Sequence, residues 1–441
     1  MKILNYPSRA AEARVRRISL RGRQWPKKEL AAVNRMVGQV RRRGDEALLA
    51  YTRRFDAPGF TREELRVSTR EMAAAAAAVD RPFLRALRRA AAQIEDFHRR
   101  QLRTGFITAE RPGTVLGQIV RPVDRVGVYV PGGRGGKTPL VSSVLMGAIP
   151  ARVAGVARIV MVTPPMADGT INPHLLLAAK TAGVEEVYKV GSAWGIAALA
   201  FGTETVPNVD VIVGPGNLYV TLAKKIVAGT VGIDIIAGPS EILVVADASA
   251  DPEFVAADML SQAEHDPLAS ALLVTPSGAL AAAARTALVR QAAALARAEI
   301  ALESLRRFGA IFVTQSLAAA IELANRVAPE HLELQVRDPF ACLGSIRNAG
   351  AVFLGAYTPE AVGDYMAGPN HVLPTAGTAR FASALSVDHF LKRTSILHYA
   401  ADALHREGPD IVRLAEVEGL TAHARSVRLR LAGQDGGEPA V

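Results

Sequence analysis

Apolar residues recur at two different spacings along this 441-residue chain, and the change from one to the other divides it. Over roughly the first 110 residues the spacing is helical. Leu30, Val33, Met36, Val37 and Val40 fall on one stripe, and Gly44-Asp45 interrupts it ahead of a second short helix over 46–51. Six consecutive alanines over 73–78 predict helix rather than a low-complexity linker, because alanine has the highest helix propensity. A further apolar stripe over 83–100 continues the helical region.

From about residue 125 the texture becomes short β-branched runs alternating with helical patterns. Strands are predicted over 126–130, 159–162, 186–190 and 209–213, each followed by a helix-like segment (140–153, 174–182, 196–200 and 219–227). A second series places strands over 242–245, 272–274, 310–313, 332–336 and 351–354, with helices over 255–264, 280–297 and 317–326. Such alternation predicts an α/β fold of two Rossmann-like lobes whose parallel sheets are covered on both faces. The expected division is an N-terminal arm, 1–25, a first lobe from 26–128 and 242–385, a second lobe over 129–241, and a C-terminal segment, 386–441. The hinge falls near Gly238-Pro239; beyond residue 386 the pattern reads as a helical tail, and 434–441 reads as a frayed end.

The composition, 49% hydrophobic and 21% charged, is that of a globular protein and excludes wholesale disorder. A single cysteine, Cys342, excludes an internal disulfide and a cysteine-rich metal site, and suits a reducing compartment. No apolar run approaches the roughly 18 residues of a membrane span. The first residues carry arginine at 9, 14, 16, 17 and 21 without an apolar segment, so a secretory signal is not expected and a cytoplasmic protein is.

The net charge of +10 is local. Residues 1–54 hold 15 Lys/Arg against 4 Asp/Glu, whereas the remainder holds 37 against 38. Only Tyr6, Trp25 and Tyr51 interleave with the basic cluster, too few for a base-stacking platform. A solvated helical face, or one that meets another subunit, explains it better than nucleic acid; neither nucleic acid nor membrane is expected as a partner.

Among the strand-end turns, Pro131-Gly-Gly-Arg-Gly-Gly136-Lys137-Thr138 resembles a phosphate loop but has Pro131 where that loop requires glycine, and G-x-G-x-x-G is absent. A glycine-rich turn still lets backbone N–H groups approach an anion. Gly214-Pro-Gly216-Asn217 is a second turn of this kind, and a weak signal alone.

Ionisable residues are more informative. Gln262 and His265 are three apart on one predicted helix face, a spacing that suits either a shared metal or two structural residues. Glu330-His331, at a helix-to-strand junction, offers a carboxylate and an imidazole for general acid–base work, or is a surface dipeptide. The stretch 355–377, dense in Gly, Pro, Asp, Asn and His, follows a buried strand and carries Asp364 and His371. Loops beyond the carboxyl ends of strands are where open α/β sheets bind ligands. Glu418 and His423 form another acid and imidazole pair five residues apart. Gln262, His265, Asp364 and His423 together fit a zinc-like divalent site without cysteine, although spacing does not show that they converge.

These segments resemble histidinol dehydrogenases from about residue 40 to 428. The likeness rests on Arg125-Val-Gly-Val-Tyr-Val-Pro-Gly-Gly, Ala198-Leu-Ala-Phe-Gly-Thr-Glu, Val213-Gly-Pro-Gly-Asn217, Ala237-Gly-Pro-Ser-Glu-Ile-Leu, Leu260-Ser-Gln-Ala-Glu-His-Asp, Asn325-Arg-Val-Ala-Pro-Glu-His-Leu-Glu-Leu, Val362-Gly-Asp-Tyr-Met-Ala-Gly-Pro-Asn-His-Val-Leu-Pro-Thr and Glu418-Gly-Leu-Thr-Ala-His.

The resemblance implies a zinc-dependent, NAD-linked, four-electron oxidation of L-histidinol to L-histidine through the aldehyde. One Zn2+ per subunit would be held by Gln262, His265, Asp364 and His423, the last from the partner subunit of a homodimer with shared active sites. Glu330 and His331 would be the acid–base pair; Ser240, Gln262, His265, His331, Asp364, His371, Glu418 and His423 would surround the substrate. NAD would lie against Tyr129, Asn217 and position 194, where this chain has Trp194 in place of the family's usual glutamine. The stretch after Gly133 is also longer than usual. A dehydrogenase of another amino alcohol or of a charged diol is the alternative on the same scaffold.

Overall fold

Two parallel sheets organise most of the chain in this computed structural model, which describes residues 1–21, 25–133 and 138–432. Part of the glycine-rich stretch after Gly133 and the expected frayed end, 434–441, lie outside the described residues.

The first sheet has six strands in the order Ile3–Asn5, Ala310–Val313, Ser270–Thr275, Glu241–Ala246, His331–Gln335 and Ala351–Leu354. Its three central strands, 270–275, 241–246 and 331–335, are buried at every residue. Helices on both faces leave no side of such strands to water, so their sequences read as apolar runs rather than alternations. The strand order reverses between Glu241–Ala246 and His331–Gln335. The second sheet, also parallel, runs Glu186–Tyr188, Arg158–Val162, Arg125–Tyr129, Val211–Val213 and Gly232–Ile233. The α/β class and the two parallel lobes are therefore as the alternation predicts.

The boundaries differ. The sequence reading groups 26–128 with the first sheet, whereas Arg125–Tyr129 is the central strand of the second. Helix Lys27–Arg43 also belongs there: its Val33, Val37 and Val40 share a core with Trp194, Ile196 and Val220. An amphipathic stripe states that a helix is buried but not against which sheet. The arm is not purely helical either. Ile3–Asn5 is an edge strand of the first sheet, and helix Arg9–Ser19, capped by Ser8, buries Ala11, Val15 and Ile18 against Leu243 and Phe312. The alanine run forms helix Thr69–Ala77, started by a reciprocal capping box of Ser68 and Glu71.

Residues 103–122 and 391–441 form a separate unit. It holds an antiparallel sheet, Leu391–Tyr399, Thr114–Pro122 and Phe106–Thr108, with helices Ala401–Val417 and Thr421–Ala432. The expected helical tail thus begins with a nine-residue strand. The helix pair approaches closely at Gly408, where a Cβ would meet Leu431 at 2.8 Å. No helix among the described residues is long and apolar enough to cross a membrane.

Candidate active site

Strand His331–Gln335 breaks the apolar rule of its sheet. Side chains alternate along a strand, so His331, Glu333 and Gln335 share one face. Helix Pro252–Ala263, started by the Asp251 cap, sets Asp258, Ser261 and Gln262 against these polar groups. The Gln335 amide donates to Asp258 at 2.7 Å and to Glu333 at 3.1 Å. Glu333 accepts the backbone N–H of Glu360 at 3.0 Å, which fixes the start of helix Glu360–Tyr365.

That short helix carries two carboxyls back to the imidazole. Glu360 lies 3.9 Å from Nε2 of His331, and the ligand atoms of His331, Glu360 and Asp364 all fall within 4.8 Å of one another. Asp364 also meets Nδ1 of His371 at 3.2 Å. Burial, then the neighbouring Asp364 charge, pushes the Glu360 carboxyl up to about 8. Burial would raise Asp364 too, but its hydrogen bond with His371, the His371 charge and its other neighbours together outweigh this and hold it below the usual carboxylate range. Burial depresses His331 to about 4, against the raising effect of its Nδ1 hydrogen bond to the Glu241 carbonyl, so the ring is neutral near pH 7.

Glu330 is buried beside it, its Oε2 3.7 Å from Nδ1 of His331. Burial and then the nearby Glu241 charge raise its carboxyl well above the ordinary value. Glu241 and His331 are the first residues of their strands, so this pair stands at the amino ends of the sheet, at its switch point. The loop rule applied to the sequence pointed to the carboxyl ends; the long segment after strand Ala351–Leu354 instead runs back to the amino ends. A cavity of about 450 Å3 opens there, lined by His331, Asp364, His371 and the apolar Phe97, Phe353 and Leu385.

Gln262 is 1% exposed, and its Oε1 has no hydrogen-bond partner among the described residues. An orphaned buried carbonyl oxygen beside two carboxyls and an imidazole is the donor set of a cation site, so the residues fit a divalent metal. His265, one turn on, is exposed, yet close enough for its charge to act on His331. Ser240 is half-buried, its carbonyl oxygen accepting from Ser270 N–H. Glu418 and His423 are exposed on the other unit, at the end of helix Ala401–Val417 and in helix Thr421–Ala432. Sequence reasoning overlooked Glu360, Glu333 and Glu241; the one available signal was the polar alternation in His-Leu-Glu-Leu-Gln, 331–335.

The positions offered for NAD are placed differently. Tyr129 is 3% exposed, with its hydroxyl accepting from Ser192 N–H at 3.2 Å. Trp194 is 4% exposed and stacks on Tyr51 and Phe55, with ring centroids 5.5 and 5.6 Å away. Both rings are covered by the chain itself. Asn217 is exposed and caps helix Leu218–Val227, accepting from the N–H groups of Tyr219 and Val220. The turn before it is rigid. Gly214 has φ +118° and a Cβ there would meet the Tyr129 carbonyl oxygen at 2.1 Å. Its N–H donates to Asp234 and its carbonyl accepts from Lys224, two buried residues that pair with each other. Near Tyr129, Asp56 has one carboxylate oxygen, Oδ2, buried without a partner among the described residues, and burial pushes it up to about 7.

Residues 20–431 match the family model for histidinol dehydrogenase. Histidinol dehydrogenase of Desulfotalea psychrophila is 55% identical over 91% of this chain and 92% of its own length. That of Oleidesulfovibrio alaskensis is 55% identical over 98% and 99%. The crystal structure of histidinol dehydrogenase from Elizabethkingia anophelis superposes with a TM-score of 0.91 at 37% identity, covering 99% of both chains.

Proposed function

This chain belongs to the histidinol dehydrogenase family, and on that premise we propose that it catalyses the last step of histidine biosynthesis. The reaction is L-histidinol, two NAD and water giving L-histidine and two NADH through the aldehyde. The observation that supports it best is the orphaned Gln262 oxygen beside the buried His331–Glu360–Asp364 group.

Gln262, His265 and Asp364, with His423 of the partner subunit, hold one zinc ion in a homodimer with shared active sites. When bound, zinc anchors the amine and imidazole of the substrate, and NAD takes the hydride of each oxidation. His331 offers Nε2, unprotonated, to the substrate hydroxyl and removes its proton. Glu330, its carboxyl already raised by burial, takes the proton of the water that adds to the aldehyde. Ser240, His371 and Glu418 orient the substrate. On the cofactor side, the turn ending at Asn217 is the surface that meets NAD, with Tyr129 and Trp194 behind it. The enzyme works in the cytoplasm, without nucleic acid or membrane.

The test is histidinol-dependent NADH formation before and after chelation, alongside metal analysis. Turnover without bound zinc and insensitive to chelator removes the metal assignment; absence of turnover with histidinol removes the substrate.

A further inference from the structure

Arg21 is the last described residue of the N-terminal arm before position 25, and it is only 5% exposed. Among the described residues, all its hydrogen bonds leave from one nitrogen. Nη2 donates to Glu241 Oε1 at 2.8 Å, to the carbonyl of Pro239 at 3.0 Å and to that of Ser240 at 3.4 Å. Burying a guanidinium is costly unless it is paired, so the position of this contact is informative.

Glu241, its partner, is bound to both members of the acid–base pair. Its N–H donates to Glu330 Oε2 at 2.8 Å, and its Oε2 accepts the N–H of Glu330 at 3.3 Å. Its carbonyl oxygen accepts Nδ1–H of His331 at 2.9 Å. The remaining carboxylate oxygen, besides holding Arg21, accepts the N–H of Ala376, at the end of the segment that carries Asp364 and His371. Ala376 has φ +54°, a conformation that an alanine keeps only when it is held. One residue thus fixes the Glu330 carboxylate, the tautomer of His331 and the return of the long segment, and Arg21, 220 residues away in sequence, pairs with its carboxylate.

We infer that Arg21 and Glu241 are positioning residues for the Glu330–His331 pair, which makes the N-terminal arm part of the catalytic apparatus. This rests on the acid–base role proposed above for that pair. Removing Arg21 takes a buried hydrogen-bonded counter-charge from Glu241, so that its carboxylate turns from the N–H groups of Ala376 and Glu330, displacing the reacting groups without touching the substrate. Loss should appear in kcat and not in KM.

The experiment compares full-length Arg21→Met, Arg21→Lys and Glu241→Gln with the unaltered enzyme, using histidinol and histidinal separately as substrates and checking folding by thermal melting. Arg21→Met and Glu241→Gln are expected to lower kcat on both substrates by about 10- to 100-fold, the effect of an ångström-scale misplacement. KM should stay within about threefold of the unaltered value. Because every contact uses one nitrogen, the Lys ammonium can replace it, and Arg21→Lys is expected to recover most of kcat. The proposal is overturned by a folded Arg21→Met or Glu241→Gln enzyme with kcat within about threefold of normal. It is equally overturned if KM carries the loss, or if Arg21→Lys recovers melting temperature but no kcat. Should Arg21→Met fail to fold, Glu241→Gln decides by the same criteria. If the unaltered enzyme forms no NADH from histidinol, the functional reading fails and not this one.

Discussion

His331 turns Nε2 toward Glu360, 3.9 Å away, because its other ring nitrogen donates to the carbonyl oxygen of Glu241. A carbonyl only accepts, so Nδ1 carries the proton and Nε2 is the basic atom. His331→Asn, which removes that base, should lower both oxidations by about 100-fold or more. Glu330→Gln should spare the alcohol step and stop the aldehyde step. Single-turnover NADH formation from histidinol and from histidinal separates the two; equal loss of both in the Glu330 variant rejects the division of roles.

Gln262→Leu should affect metal binding far more than stability. It removes a buried oxygen without a partner but also the side chain's hydrogen bond to Glu360, so the stability of metal-free protein should change by no more than roughly 1 kcal/mol. Zinc affinity in chelator competition should fall by about tenfold or more. Unchanged zinc affinity would falsify the assignment of Gln262 as a ligand.

Asp56 should make stability depend on pH in a direction unusual for a carboxylate. Burial raises it from 3.8 to about 7 in the folded chain. Between these values the unfolded chain has lost the proton while the folded chain keeps it, so stability falls as pH rises through the window. Asp56→Asn should therefore stabilise by roughly 1–3 kcal/mol at pH 8 and by little at pH 4. Urea unfolding at the two pH values checks it; an equal effect at both refutes the shift.

Trp194 is packed as a core residue. Replacing it with alanine should cost about 3–5 kcal/mol through loss of the stack with Tyr51 and Phe55. The NAD affinity of the molecules that remain folded should change by less than about threefold. A large drop in affinity with little loss of stability would show that the indole meets the cofactor.

The buried pair behind the Asn217 turn gives a fifth contrast. Asp234→Ala leaves Lys224 buried and unpaired, at a cost of about 3–5 kcal/mol, whereas an exposed pair such as Arg100–Asp96 should be nearly silent. Equal effects in denaturant melts would contradict the burial.

How much of this was legible depended on range. The strands at 242–245 and 310–313 are apolar runs that any parallel sheet requires, and they appear within a residue or two of their expected places. Ile3–Asn5 was missed because three half-exposed edge residues carry no period, and Leu391–Tyr399 because its solvated residues read as polar helix. Within the site, Glu330-His331 stood out as a dipeptide. Glu241 lies 89 residues from Glu330, and Arg21 lies 220 from Glu241, so only folding reveals that they meet. Trp194 shows the same limit of range: its place in the motif says nothing of Tyr51 and Phe55, on which it stacks in the fold.

The place of Ile3–Asn5 in the first sheet also has a consequence for synthesis. This strand leaves the ribosome some 300 residues ahead of Ala310–Val313, its neighbour in the sheet among the described residues. It must wait for that partner on the order of 15 to 60 seconds at ordinary rates of translation. The second sheet, all of whose strands lie between residues 125 and 233, can assemble during that interval. The sheet that bears the acid–base pair then closes after the other, and the nascent chain gains its chemistry only when strands some 300 residues apart have met.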